Sequence, residues 1–282
     1  MEYHWFRGQY GAFAGADGRY RQPPCHGNRH ARRHHDFDGR QSRDHHDPDR
    51  VWRWRRPGQA YLANYLYQVA VNIALTCEDR DETDNKWMLS RMTHDWARFQ
   101  AGTNLAKWAV VNYEFSLSLS RELGKKNPER FLPEVALCLN NLGAVYFRLG
   151  DLKACEAAFQ EAVEIRRARP VNSERYQENL GHSLMNLGMV ARARGSLETA
   201  RECYEESIRV TAERLATEPS AIVDLAHRQI HLAHCLGAMP GAEADAEDAV
   251  EAAKETLPKV AEINPEAARE FEAVLRHGPD NG

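Results

Sequence analysis

The stretch LNNLGAVYFRLGDLKACEAAFQEAVEI, Leu139 to Ile165, returns 45 residues later as LMNLGMVARARGSLETARECYEESIRV, Leu184 to Val210. Self-similarity at a fixed period is the signature of a stacked architecture, in which each unit leaves an apolar face that only its neighbour covers. Apolar residues recur at helical spacing within the unit: Leu139, Leu142, Tyr146 and Leu149 on a first helix, then Ala158, Phe159, Ala162, Val163 and Ile165 on a second. Gly150-Asp151 and Gly195-Ser196 lie between the helices, where glycine ends one helix and Asp or Ser is expected to cap the next. So short a turn makes the two helices antiparallel neighbours. Gly143 and Gly188, with Cys155 and Ala200 opposite, predict a close approach of the two axes. Phe159 and Tyr204 are expected to fill the wider gap beyond.

This order of residue types resembles the tetratricopeptide repeat. It runs Leu-Gly, Tyr three residues on, Gly at the turn, Ala or Cys five later, an aromatic four later and a small residue three after that. The second copy has Ala191 where the first has Tyr146. A unit of 45 residues, against about 34 in the usual repeat, is similar to the long-helix variety of kinesin light chains. Asn127 to Phe131 (NPERF) and Asn172 to Tyr176 (NSERY) sit at one phase, so the extra length is itself repeated. The resemblance implies an all-α chain, a right-handed α-solenoid of antiparallel helix pairs.

The clearest units are residues 128–168 and 173–217. Forward, Asp224-Leu225-Ala226 and His231-Leu232-Ala233 keep the phase, which predicts a degenerate unit over 220–262 with a loop at Gly237 to Gly241. Asn264-Pro265-Glu266 then opens a charged capping helix over 264–277. Backward, Ala109, Tyr113, Ser116, Leu117 and Leu119 fit a second helix, with Met88 to Gly102 as a degenerate first, giving a unit over 86–124. Tyr61 to Cys77 reads as a further apolar helix, so residues 57–282 form one repeat domain.

Residues 1–56 differ in kind. They hold 12 Arg, no Lys, Leu or Ile, one Val, seven acidic residues and seven of the 13 His, in a chain whose net charge is −4. Such a stretch has too little aliphatic surface to offset chain entropy, so it reads as disordered. Its composition is also what a GC-rich gene yields out of frame, and a gene-model artefact stands as the second reading. Within it, His34, His35 and Asp36 are echoed by His45, His46 and Asp47. These are suitable zinc or nickel ligands, but low-complexity composition explains the same residues, and no metal or other cofactor is assigned. The basic aromatic run Val51 to Arg56 is too short to imply nucleic acid or a membrane surface.

At 282 residues and 43% hydrophobic, the sequence has no apolar run long enough for a membrane span and no secretory signal order at its start. A cytoplasmic location is expected. Cys138, Cys155, Cys203 and Cys235 fall on apolar helical positions without a Cys-x-x-Cys pair and read as buried thiols. No phosphate loop, dinucleotide fingerprint, nucleophile elbow or zinc helix occurs, so the chain reads as non-catalytic. His227, His231 and His234 share a helix face and read as polar surface, with a metal or proton-transfer role as the alternative. Glu205-Glu206 and the acidic run Glu243 to Glu251 read as solvated faces.

A superhelix of helix pairs offers a concave face lined by first helices, and binding is its natural use. The resemblance places Asn141, Ala144 and Arg148 there in the first clear unit, His182, Asn186, Met189 and Arg192 in the next, and His227, His231 and His234 in the third. In long-repeat relatives the second Asn of Leu-Asn-Asn-Leu bonds the main chain of an extended peptide. That position is Asn141 here, then Asn186, then His231, whose contact would depend on pH. A carboxamide suits the task because it donates and accepts at once. Arg148, Arg192 and the histidines bias such a groove toward acidic segments or a terminal carboxylate. The reading is a peptide-holding adaptor, with self-association through the solenoid ends left open. The alternative is a sensor or oligomerisation fragment of a larger signalling NTPase of the STAND type.

Overall fold

Gly150 and Gly195 adopt φ of 78° and 79°, left-handed conformations that a Cβ would oppose, and both end a helix. At Gly150 the amide donates back to Phe147 O, at 3.0 Å. Asp151 accepts from the Ala154 amide at 3.0 Å and so caps the next helix. Ser196 occupies the same N-cap position without a side-chain cap bond, so the expected serine cap is not made. Asn127 accepts from the Arg130 amide at 3.1 Å and Asn264 from the Ala267 amide at 3.0 Å. Both Asn-Pro-Glu motifs therefore open helices, with proline at the position where no amide is needed.

The computed structural model describes residues 57–76, 82–103, 105–168 and 174–277. The arm over residues 1–56, its His34, His35, Asp36, His45, His46 and Asp47, and the Asn172-Ser173 half of the second opening motif lie outside them. Ten helices are described: α1 (Pro57–Thr76), α2 (Glu82–Ala101), α3 (Ala106–Lys126), α4 (Pro128–Leu149), α5 (Leu152–Arg167), α6 (Glu174–Ala193), α7 (Leu197–Arg214), α8 (Ala221–Gly237), α9 (Glu243–Ile263) and α10 (Pro265–His277). No strand occurs among the described residues. Each helix packs on the next in sequence, and α10 folds back on both α9 and α8. The architecture is an all-α solenoid in which α2/α3, α4/α5, α6/α7 and α8/α9 are the pairs. Among the described residues no helix is long and apolar enough to cross a membrane.

The core is a series of apolar layers between successive helices. Ala97, Ala109, Tyr113, Val135, Leu139, Leu142, Ala158 and Ala162 form one. Cys155, Phe159, Val163, Leu184, Leu187 and Val190 form the next. Within each clear unit the helix pair is locked at one point. A Cβ on Gly143 would stand 2.8 Å from Phe159 Cε1, and one on Gly188 would stand 2.6 Å from Tyr204 Cε1. The rings thus lie flat against the glycines themselves instead of filling space beyond them. Cys138, Cys155, Cys203 and Cys235 are free and buried. Burial pushes the Cys138 and Cys155 thiols up to about 12 and Cys203 to about 11, which leaves them protonated and inert near neutrality.

Outer helices are tied by ion pairs that recur close to the repeat period. Arg121 reaches Glu161 at 2.7 Å from α3 to α5, and Arg167 reaches Glu206 at 3.1 Å from α5 to α7. Glu206 is therefore a tie between units and not a solvated residue, while Glu205 pairs with Arg201 along its own helix at 2.8 Å. The residues of the acidic run at Glu243, Glu247, Asp248 and Glu251 are exposed, as expected.

Helix propensity alone favours Gly143→Ala by up to about 1 kcal/mol, yet the added methyl overlaps a buried ring on three of its carbons. Overpacking of this kind costs about 1–3 kcal/mol, so Gly143→Ala and Gly188→Ala are expected to lower the thermal midpoint followed by circular dichroism. A midpoint equal to or above wild type would show that the ring retreats freely.

Candidate functional site

The first helices α2, α4, α6 and α8 form a row whose members are joined by side-chain polar bonds. Asn141 on α4 donates through Nδ2 to His94 Nε2 on α2 at 2.8 Å. Asn186 on α6 donates through Nδ2 to Asn140 Oδ1 on α4 at 3.2 Å, and Ser183 Oγ donates to the same oxygen at 3.0 Å. The two carboxamides singled out from the sequence thus perform the same act in consecutive units, each donating backward to the preceding first helix. Neither carbonyl oxygen accepts a bond among the described residues. Asn141 and Asn186 are half-buried, and Ala144, one turn beyond Asn141, is exposed.

The cationic positions separate. Arg148 is exposed and donates to the carbonyl oxygen of Ala101 at the end of α2, so its guanidinium serves the α2 C-terminus. Arg192 is half-buried and makes no ion pair among the described residues. Met189 packs against the layer of Met185, Ala191, Tyr204 and Cys235, which commits it to the core more than to an open face.

His182 on α6 faces Asp224 on α8 across 3.7 Å. Burial alone would raise the Asp224 carboxyl, but His182, Arg228 and Arg214 together hold it well below the usual carboxylate range. Arg214 and Arg228 are buried, with Nη1 atoms 3.4 and 3.6 Å from that carboxylate. Arg228 also donates through Nε to Ser207 Oγ at 2.8 Å, and Ser207 donates to Gly181 O at 2.7 Å. Gly181 leaves the room this needs, since a Cβ there would come within 3.3 Å of Arg228 Nη2.

The third unit departs from the amide pattern for a visible reason. Met185 stands in α6 where α4 has Asn140, so His231, in phase with Asn141 and Asn186, meets no amide on the preceding helix. Its Nε2 instead lies 3.2 Å from His227 Nε2, and its Nδ1 is buried with no hydrogen bond. The His227 ring stacks on Phe271 of α10 at 5.7 Å between centroids. Burial, then the neighbouring His227, lowers the His231 imidazole to about 3. An imidazole held that low is neutral near pH 7. Among the described residues no group of three or more His, Cys, Asp or Glu is placed to hold a metal ion, so His227, His231 and His234 do not form such a set.

Four participants escaped the sequence reading: His94, Asn140, Arg214 and Arg228. Asn140 was visible as the first Asn of Leu-Asn-Asn-Leu, and its replacement by Met185 marks where the amide ladder ends. His94 had no in-phase counterpart to betray it, because α2 is offset by a residue from the 45-residue register.

Residues 134–213 match the tetratricopeptide repeat family model, and this part of the chain is a tetratricopeptide-repeat segment. Solved structures of similar fold include BtubC (BKLC) from P. vanneervenii, 20% identical over 72% of this chain and 74% of that one, with a TM-score of 0.57. Another is a Podosopora anserina putative kinesin light chain with nearly identical TPR-like repeats, 18% identical over 77% and 93%, at 0.55. Aspartyl phosphate phosphatase F from Bacillus subtilis is 14% identical over 79% of this chain and 53% of that one, at 0.58. At these identities the likeness is one of fold. Comparison with curated protein sequences gives no match.

Burial lowers the His94 imidazole to about 4, so it is neutral when it accepts from Asn141. Its folded pKa lies below the unfolded value of about 6.5, so the unfolded chain binds more protons between the two. Stability is therefore full above about pH 6.5 and is lost as pH falls toward 4, by on the order of 3 kcal/mol from this group. His94→Gln keeps an acceptor for Asn141 but cannot titrate. Urea unfolding at pH 7.5 and 4.5 should show a smaller pH difference in this variant than in wild type, and an equal difference would remove His94 from the account.

Proposed function

We propose that the protein is a non-catalytic adaptor of the cytosol that holds an extended peptide segment of a partner protein along α4, α6 and α8. A tetratricopeptide-repeat scaffold is suited to protein–protein interaction, and the particular mode rests on one observation. Asn141 and Asn186 recur in phase, each fixed by a donor bond to the preceding unit, each with a carbonyl oxygen that accepts nothing among the described residues. Fixed acceptors at a regular spacing suit the backbone amides of an extended chain, whatever its side chains, and pre-organisation lowers the entropy cost of binding. Arg192 supplies a cation without an ion pair among the described residues, so it favours acidic segments, whereas Arg148 is already engaged with Ala101. His182, Met189, His227, His231 and His234 then shape the walls of the site more than they bind.

Random dodecapeptides displayed on phage and selected against the full chain test this reading. Selected sequences should be acidic and should lose at least tenfold in affinity, about 1.4 kcal/mol, on Ala144→Glu, which adds bulk and negative charge at an exposed position. Arg192→Ala should relax the acidic preference. Peptides that bind Ala144→Glu as tightly as wild type, with helicity unchanged, would refute the groove.

A further inference from the structure

The helix α1 has no charged residue in its 20 positions, PGQAYLANYLYQVAVNIALT. Its packing within the described residues is against α2. One face is committed there. Val71 and Ala74 are buried, Tyr67 meets Phe99 at 5.8 Å between centroids, and Asn64 Oδ1 accepts from Trp96 Nε1 at 2.8 Å. Those residues, 64, 67, 71 and 74, follow a 3-4-3 spacing. A second stripe, Leu62, Leu66, Val69, Ile73 and Thr76, follows a 4-3-4-3 spacing on another face. Leu62, Leu66 and Ile73 are 55, 56 and 58% exposed, and Tyr65 beside them is 49% exposed. Alternating steps of three and four are the seam of a helix that packs on another helix.

The opposite end of the array is built differently. There α10 carries Glu266, Arg269, Glu270, Glu272 and Arg276, the charged face that a terminal helix of a solenoid needs. By its two apolar stripes α1 has the character of an interior helix, with one neighbour in place and one wanting.

We propose that the wanting neighbour is α1 of a second copy, packed antiparallel about a two-fold axis at Val69. The stripe is self-complementary under that operation. Leu62 falls level with Thr76 of the other copy, Leu66 within one residue of Ile73, and Val69 level with itself. With no charge on either helix, nothing repels the like surfaces, and an isologous contact of this kind closes at two copies. The 56 residues that precede α1 contain no Leu or Ile and one Val, so no aliphatic stripe matching this one is found in their sequence. One helix per copy is small beside a standard interface of about 800 Å² a side. The dimer is therefore a weak one, with dissociation in the micromolar range. This inference does not depend on the groove, which lies on other helices.

Sedimentation velocity of the full chain from low to high micromolar concentration should show a monomer passing to a dimer. Leu66→Glu and Ile73→Lys, both at exposed positions and checked for unchanged helicity, should each remain monomeric. Mixed in equal amounts they should dimerise again. In that pairing the introduced carboxylate at 66 faces the introduced ammonium at 73, and the remaining native pair, Ile73 with Leu66, is kept. A wild-type monomer at the highest concentration, a dimer unmoved by both substitutions, or a mixture that stays monomeric would each overturn the proposal.

Discussion

The contact on which the array depends is a ring laid on a glycine. Where Phe159 covers Gly143 and Tyr204 covers Gly188, no side chain separates ring from backbone, and the distance between the two helices of a unit is set there. Everything outward of that point is consequence. The separation fixes how far the second helix stands from the next unit's first helix, and so which residues form the apolar layers. It also fixes which side chains on the row of first helices come within bonding reach of one another. A stack of identical errors would accumulate along the array, so a contact with a hard wall on both sides is a better spacer than an adaptable aliphatic pair.

Ties between units then follow two chemistries on two surfaces. Along the outer helices Arg–Glu pairs at Arg121–Glu161 and Arg167–Glu206 repeat close to the structural period, each partly exposed and individually worth little. Along the first helices neutral amides carry the link from His94 to Asn141 and from Asn140 to Asn186. Neutral donors and acceptors make these links, and they leave the carbonyl oxygens of Asn141 and Asn186 uncommitted among the described residues.

Most of the architecture was readable in advance because it rests on local rules. Helical spacing, positive-φ glycines at Gly150 and Gly195, and Asn caps before Pro128 and Pro265 each act within a few residues, and each appears where the repeat puts it. Which side chains share the row of first helices was readable, but the bonds they make were not. That Asn141 would meet His94, or that Arg228 would be buried against Ser207, depends on contacts across units and on an offset in α2 that periodicity does not encode. The surroundings of His231 were illegible for a related reason. Its environment is set by His227 on its own helix and Tyr204 on another, and burial there lowers the imidazole far below its ordinary value.

The replacement of Asn140 by Met185 reaches beyond its own helix. It leaves neutral amides along the boundary between α4 and α6 and an ionic seam at the next boundary, where the buried Arg214 of α7 meets Asp224 of α8, a carboxylate also held by Arg228 of its own helix and faced by His182 of α6. The penalty for desolvating ions shrinks as temperature rises, because their hydration becomes less favourable. Warming therefore shifts relative strength toward the ionic seam. In an array whose stability is a sum of nearest-neighbour couplings, the boundary at which the units first part is then a function of temperature and not a fixed place in the chain.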